Sequence, residues 1–198
     1  MTKVIGITGG IGSGKTTLCK YLKKNGYNVH ESDKIVFNIY KNPSRLFLNF
    51  IKKNISEKVV KNYKINKKKV AEIVFNNDVI RKKLENYIHQ EVKVSRERFI
   101  KKNQKNNKRV VFVDIPLLLE NNLEKKFNLV VCIISKKKIR TERVLKSKKF
   151  TKPILNKIFN SQTSDKNRRL RSQIIINNNK SKKDFIFSAE KALIDFLK

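Results

Sequence analysis

Apolar residues in this chain follow two rhythms, short unbroken runs and stripes that recur every three or four positions. The runs are Val4-Ile5-Gly6-Ile7, Arg109 to Val113, Leu129 to Ile134 and Gln173 to Ile176. Each has the length of one strand and no polar face, as in a parallel sheet covered on both sides. A shorter strand is expected at Tyr27-Asn28-Val29-His30. The stripes lie between the runs. Leu18, Tyr21 and Leu22 predict a first helix stopped by Asn25-Gly26, and Ile35, Val36, Ile39 and Tyr40 predict a second. From Asn42 to Gln104 helix follows helix without a strand: Pro43-Ser44 opens one, Asn66 another, and Asp78 caps a long one striped by Ile80, Leu84, Tyr87, Ile88, Val92 and Phe99. Ser135 opens the next. Thr151-Lys152-Pro153 starts a helix that carries Ile154, Leu155, Ile158 and Phe159 to near Gln162, and Ser181 caps a last one with Phe185, Ala189, Ala192, Leu193 and Phe196 inward. Strands alternating with helices predict an α/β fold with a five-stranded parallel sheet flanked by helices.

The first junction carries chemistry. Gly9 and Gly14 bracket four residues, Lys15 and Thr16 follow, and the stretch Thr8 to Thr17 completes the G-x-x-x-x-G-K-S/T pattern of a phosphate-binding loop. Strand before and helix after are the context that pattern needs. Glycines let successive amide N–H groups converge on an anion, Lys15 adds a point charge, and the helix supplies its positive end. The Thr16 hydroxyl is placed to ligate a magnesium ion bridging phosphates. ATP or GTP is the expected ligand.

Charge alters this picture less than its size suggests. The 198 residues carry 48 Lys and Arg against 16 Asp and Glu, a formal net charge of +32. That value ordinarily argues for nucleic acid. Here lysine dominates, is spread over nearly every segment, and lacks interleaved aromatic platforms, so weak non-specific attraction of polyanions is expected rather than a dedicated nucleic-acid site. No apolar run approaches bilayer length and the start leads straight into a strand, so neither membrane nor secretion is expected, and the protein should be cytoplasmic. Cys19 and Cys132 lack metal-ligand spacing and read as small core residues.

Further candidates stand at strand ends, where open α/β sheets bind ligands. Asp33 follows the second strand and reads either as a base accepting a proton from an attacking hydroxyl or as a cap of the next helix. Asp114 reads as a Walker B acid holding a magnesium-bound water or as a polar strand end. His89 beside its apolar stripe reads as an acceptor contact or as a packed histidine. The basic helices after the fourth strand, with Arg140, Arg143 and Lys146-Ser147-Lys148-Lys149, have the look of a lid whose charges meet a transferring phosphoryl group on closure.

Taken together, Thr8 to Thr16, Asp33, His89, the PLLxE segment Pro116 to Glu120, Arg143, Gln162 and Ile176-Asn177-Asn178 resemble the dephospho-CoA kinase family over almost the whole chain. The resemblance implies a P-loop NTPase fold of nucleotide-kinase type, with a nucleotide-binding core (1–41, 105–135, 172–198), a helical acceptor domain (42–104) and a lid (136–171). It implies transfer of the γ-phosphate of ATP, with Mg2+, to the ribose 3′-hydroxyl of dephospho-CoA. Carried over by position, Gly12, Ser13, Gly14, Lys15, Thr16 and Thr17 would hold ATP with Asn178 near the adenine. Asp33 would be the base and Arg143 the lid arginine, while Thr8, Asp33, His89, Pro116 and Leu117 would meet the acceptor. A monomer is expected. The chain departs from the family pattern at Gln90 after the histidine, Asn66-Lys67 in the acceptor domain, Ser147 for a second lid arginine, Ser172-Gln173 and Asn177. Competing readings are another small-molecule or nucleoside monophosphate kinase, and a basic nucleic-acid-binding NTPase.

Overall fold

The computed structural model describes residues 1–148 and 150–197; Lys149, part of the basic run read as lid, lies outside them. In chain order the elements are β1 (Lys3–Gly9), α1 (Lys15–Lys24), β2 (Val29–Glu31), α2 (Ser32–Lys41), α3 (Arg45–Asn54), β3 (Val60–Lys61), β4 (Lys64–Ile65), α4 (Lys67–Phe75), α5 (Asp78–Lys105), β5 (Val110–Asp114), β6 (Leu129–Ile134), α6 (Lys137–Lys146), α7 (Lys152–Ser161), α8 (Asp165–Leu170), β7 (Ile174–Asn177) and α9 (Lys182–Leu197). Two compact units divide them, Met1–Glu31 with Ile100–Lys198, and Ser32–Phe99.

The first unit is built on a five-stranded sheet in the order β2-β5-β1-β6-β7, parallel at every pairing. β1 is central, and Ile7 stands opposite Asp114 on one side and Val131 on the other. On one face Ile5, Ile7, Phe112, Val131 and Ile133 pack with Leu18 and Leu22 of α1 and with Phe185, Ala189 and Leu193 of α9. On the other, a Cβ at Gly6 would stand 2.8 Å from Leu118 and 3.1 Å from Phe127, so the segment after β5 lies directly on the sheet. Coverage of both faces explains why these strands read as unbroken apolar runs. Cys19 and Cys132 are buried free thiols in this core, and burial pushes the Cys132 thiol up to about 11.

The second unit has its own core of Phe47, Leu48, Ile51, Val59, Ile65, Val70, Leu84 and Ile88. Phe47 is its hub, with Tyr40 edge-on at 5.3 Å and Tyr87 stacked at 5.2 Å. Two expectations are corrected here. The stretch read as purely helical contains the antiparallel hairpin β3–β4, whose two-residue strands are too short to show an alternation. Its turn places Asn62 and Tyr63 at φ 49° and 58°, the primed geometry that suits a tight hairpin. The cap of α5 is also not Asp78: the Asn77 side chain accepts the Ile80 N–H at 3.0 Å, and Asp78 occupies the first turn. Ser44 and Asn66 do cap α3 and α4, accepting from the N–H groups of Phe47 and Lys69.

Later boundaries shift slightly. α6 begins at Lys137 rather than Ser135, and the short helix α8, capped by Ser164, had no distinct signal between Gln162 and β7. Ser181 caps α9 as expected, accepting the Asp184 N–H at 3.2 Å.

Candidate active site

β1 delivers the chain to Gly9, and α1 begins at Lys15 with Gly14 as its N-cap at φ 112°. The intervening loop wraps back on itself. The Lys15 ammonium reaches over it to donate to the Gly9 carbonyl at 2.6 Å, with the Gly10 carbonyl at 3.5 Å. A cation is therefore held above the loop, beside the N–H groups of a helix start, which is the arrangement that binds phosphate. Thr16 and Thr17 follow in the first turn, Thr16 exposed.

Two glycines are dictated by what approaches them. A Cβ on Gly12, itself at φ 73°, would stand 2.8 Å from the Arg140 carbonyl, so α6 packs directly on the loop. A Cβ on Gly14 would stand 2.3 Å from the Asn178 side-chain nitrogen. That nitrogen donates to the Ser13 carbonyl at 2.7 Å, and the Asn178 N–H donates to the Ile134 carbonyl at 2.8 Å. The turn after β7 is thus tied to both β6 and the phosphate loop. Gln162 ties a third point, its side-chain oxygen accepting the Ile11 N–H at 3.0 Å.

Arg143 was expected to face the transferring phosphate. Its guanidinium instead donates to Asn178, Nη1 to the carbonyl at 3.1 Å and Nη2 to Oδ1 at 3.2 Å. The reason is register on α6: Arg143 lies at the end of the helix that faces the turn after β7. Together with Gly14, Thr17, Asn178, Lys182 and Phe185 it lines a cavity of about 270 Å³ at the start of α1. Ser147 stands at the C-cap of α6 and donates to the Val144 carbonyl at 2.7 Å.

The other end of the loop is met by Arg140, read from the sequence only as one of the lid charges, and by Arg168, which the sequence did not single out. A Cβ on Gly10 would stand 2.2 Å from Arg140 Nη1 and 3.3 Å from Arg168 Nη1. Both arginines are buried. Arg168 donates to Asp165 Oδ1 at 2.8 Å and lies 3.4 Å from Glu120, the acidic residue of the PLLxE segment. Glu120 also accepts the Thr163 N–H at 2.9 Å. Arg140 meets Asp165 Oδ2 at 3.4 Å, and its guanidinium lies 5.2 Å from the Phe159 ring centroid. Burial lowers the Arg140 pKa from its ordinary value, an effect that Asp165 opposes and Arg168 reinforces. The available signal was their basic character in a stretch already read as lid; nothing local distinguished Arg140 from Arg143.

Of the acceptor candidates, Thr8 and Pro116 come together: Thr8 is buried and its hydroxyl donates to the Pro116 carbonyl at 3.5 Å. Leu117 next to them is exposed. Asp114 is buried at the carboxyl end of β5, level with Glu31 on β2. Asp33 is exposed in the first turn of α2, two residues past the end of β2. His89 is exposed on α5 rather than packed into the apolar stripe. Within its unit a cavity of about 260 Å³ is lined by Ile35, Asn38, Ser44, Phe47, Tyr87 and Glu91 among others.

The five-stranded parallel sheet with helices on both faces and the phosphate loop after its central strand define a P-loop kinase. A shikimate kinase from Acinetobacter baumannii shares the fold, with TM-score 0.54 and 15% identity, covering 100% of this chain and 97% of that one. A Thermus thermophilus protein superposes with TM-score 0.79 at 24% identity over 98% of each chain. Agreement narrows with a dephospho-CoA kinase from Campylobacter jejuni, at TM-score 0.73 and 25% identity, covering 98% of this chain and 97% of that one. The sequence model of the family "Dephospho-CoA kinase" matches residues 3–184. Relatives bearing that name include one from Fusobacterium nucleatum, 31% identical over 197 residues with 95% of each chain covered, and one from Bartonella henselae, 32% identical over 178 residues with 90% of each covered. The chain belongs to the dephospho-CoA kinase family. Membership sets aside the nucleoside monophosphate kinase and nucleic-acid-binding readings. Among the described residues no helix is long and apolar enough to cross a membrane.

Proposed function

We propose that this protein transfers the γ-phosphoryl group of ATP to the ribose 3′-hydroxyl of dephospho-CoA, completing coenzyme A, and that it acts as a cytoplasmic monomer. The observation that carries the reading is the phosphate loop with Lys15 Nζ held 2.6 Å from the Gly9 carbonyl, in a chain matched to the family over residues 3–184. Phosphoryl transfer asks little covalent work of a protein, so positioning and charge neutralisation are its contribution.

In this reading the N–H groups from Gly12 to Thr17 and the Lys15 ammonium hold the β- and γ-phosphates. The cavity beside Asn178 and Arg143 takes the base end of the nucleotide. Asp33, exposed in the first turn of α2, has a carboxylate open to accept the proton of the 3′-hydroxyl. Thr8, His89, Pro116 and Leu117 belong to the acceptor side, Thr8 by supporting the Pro116 carbonyl. Magnesium fits the donor set. This ion ordinarily keeps waters and phosphate oxygens with one or two protein ligands. Thr16, exposed in the first turn of α1, would be one such ligand. Bound there, the ion supplies positive charge to the phosphates.

Phosphorus NMR of the product tests the reaction and its regiochemistry. A new phosphomonoester coupled to the ribose 3′ proton supports the reading, and phosphate at another hydroxyl, or none, refutes it.

A further inference from the structure

We infer that Arg140 is the guanidinium that meets the γ-phosphoryl group of ATP, with Asp165 and Phe159 as the positioning residues that aim it; the inference rests on the nucleotide assignment proposed above. Three observations carry it. The first is place. Arg140 Nη1 stands 2.2 Å from where a Gly10 Cβ would be, and the Gly10 carbonyl is one of the two oxygens within reach of Lys15 Nζ. Two cations therefore converge on the Gly9-Gly10 end of the loop, opposite the end occupied by Asn178.

The second is unspent hydrogen-bonding capacity. Arg140 is 7% exposed, its Nε is buried with no hydrogen-bond partner among the described residues, and its one carboxylate contact, to Asp165, is long at 3.4 Å. Arg168 beside it is committed, at 2.8 Å to Asp165 and 3.4 Å to Glu120. A guanidinium has five donors, and leaving them buried without acceptors is costly. A phosphoryl group brings three acceptor oxygens and the charge to match.

The third is the division of labour on α6. Arg143, one turn further on, spends both Nη groups on Asn178, and Ser147, where a second lid arginine was expected, returns its hydroxyl to Val144. Arg140 is thus the arginine of this helix that faces the phosphate end. The guanidinium lies over the Phe159 ring, 5.2 Å from its centroid, and 3.4 Å from Asp165 Oδ2, so Arg140 already stands beside the loop before any ligand arrives.

Comparing ATP with ADP isolates the γ-phosphate. Dissociation constants for both nucleotides, with magnesium and without acceptor, are measured by calorimetry for the wild type, Arg140→Gln and Arg140→Lys, with a thermal melt of each. Loss of one charge-assisted contact predicts ATP weakened by roughly 10- to 100-fold in Arg140→Gln while ADP changes by less than about threefold, and partial recovery in Arg140→Lys, which keeps charge but not the fork. If Arg140 only latches α6 to α8, melting temperature falls in both variants and the ATP to ADP ratio stays at the wild-type value, which overturns the inference. Should Arg140→Gln not fold, Arg140→Lys decides by the same ratio. Wild-type protein that binds neither nucleotide overturns the nucleotide assignment itself and this inference with it, a failure distinguishable from an unchanged ratio.

Discussion

The Asn178 side-chain nitrogen donates to the Ser13 carbonyl at 2.7 Å across 165 residues of sequence, and in doing so joins the last strand of the sheet to the phosphate loop. The loop is not a free glycine-rich turn. It is held at Ser13 by Asn178, at Ile11 by Gln162 and at Gly10 and Gly12 by the approach of Arg140. Preorganised amides cost no rearrangement when the anion binds.

Asn178→Ala should accordingly lower stability and nucleotide affinity together. The buried Ser13 carbonyl and the Arg143 guanidinium both lose a partner, at a cost of about 1–3 kcal/mol. Denaturant unfolding and ATP titration check this; unaltered ATP affinity would show that the tie is not needed to shape the loop.

Lys15→Ala removes the ammonium that spans the loop. Because that charge opposes negative charge developing on the phosphates, kcat should fall by at least about 10²-fold while the melting curve keeps its cooperativity. Steady-state kinetics beside calorimetry decides, and a folded variant with wild-type turnover would contradict the site.

Much of this arrangement was legible beforehand because it is local. The loop, its strand and its helix lie within residues 3–24, and the four apolar runs report their own coverage. What was missed depends on distant partners or on very short elements. Arg140 and Arg143 are alike as sequence, and only the packing of α6 against Gly12 sends one to Gly10 and the other to Asn178. Neighbouring Asn77 and Asp78 are both good caps, and the choice between them is made by one turn of backbone. The hairpin β3–β4 offers two residues per strand, too few for a period to show.

Asp33→Asn separates a base from a structural role. Asparagine keeps the side-chain oxygen but cannot take the proton, so a fall in kcat of roughly 10²- to 10⁴-fold with nearly unchanged melting temperature is expected. A lowered melting temperature with normal kcat would assign Asp33 to the start of α2 alone.

Both thiols should be silent in the native protein. Burial disfavours the charged thiolate, which raises the Cys132 pKa to about 11, so at pH 8 its thiolate is scarce as well as shielded; reactivity should rise only as pH climbs toward that value. A chromogenic thiol reagent should report no rapid equivalents in buffer and two after denaturation. Rapid reaction of either cysteine at pH 8 would show that the core around α1 or β6 opens readily.

The central claim is the identity of the acceptor, and ADP release measured with a panel of acceptors tests it most directly. With ATP and magnesium, dephospho-CoA should stimulate release well above the acceptor-free rate, whereas nucleoside monophosphates, DNA and RNA should not. Stimulation by one of those instead, or a rate indifferent to dephospho-CoA, would contradict it.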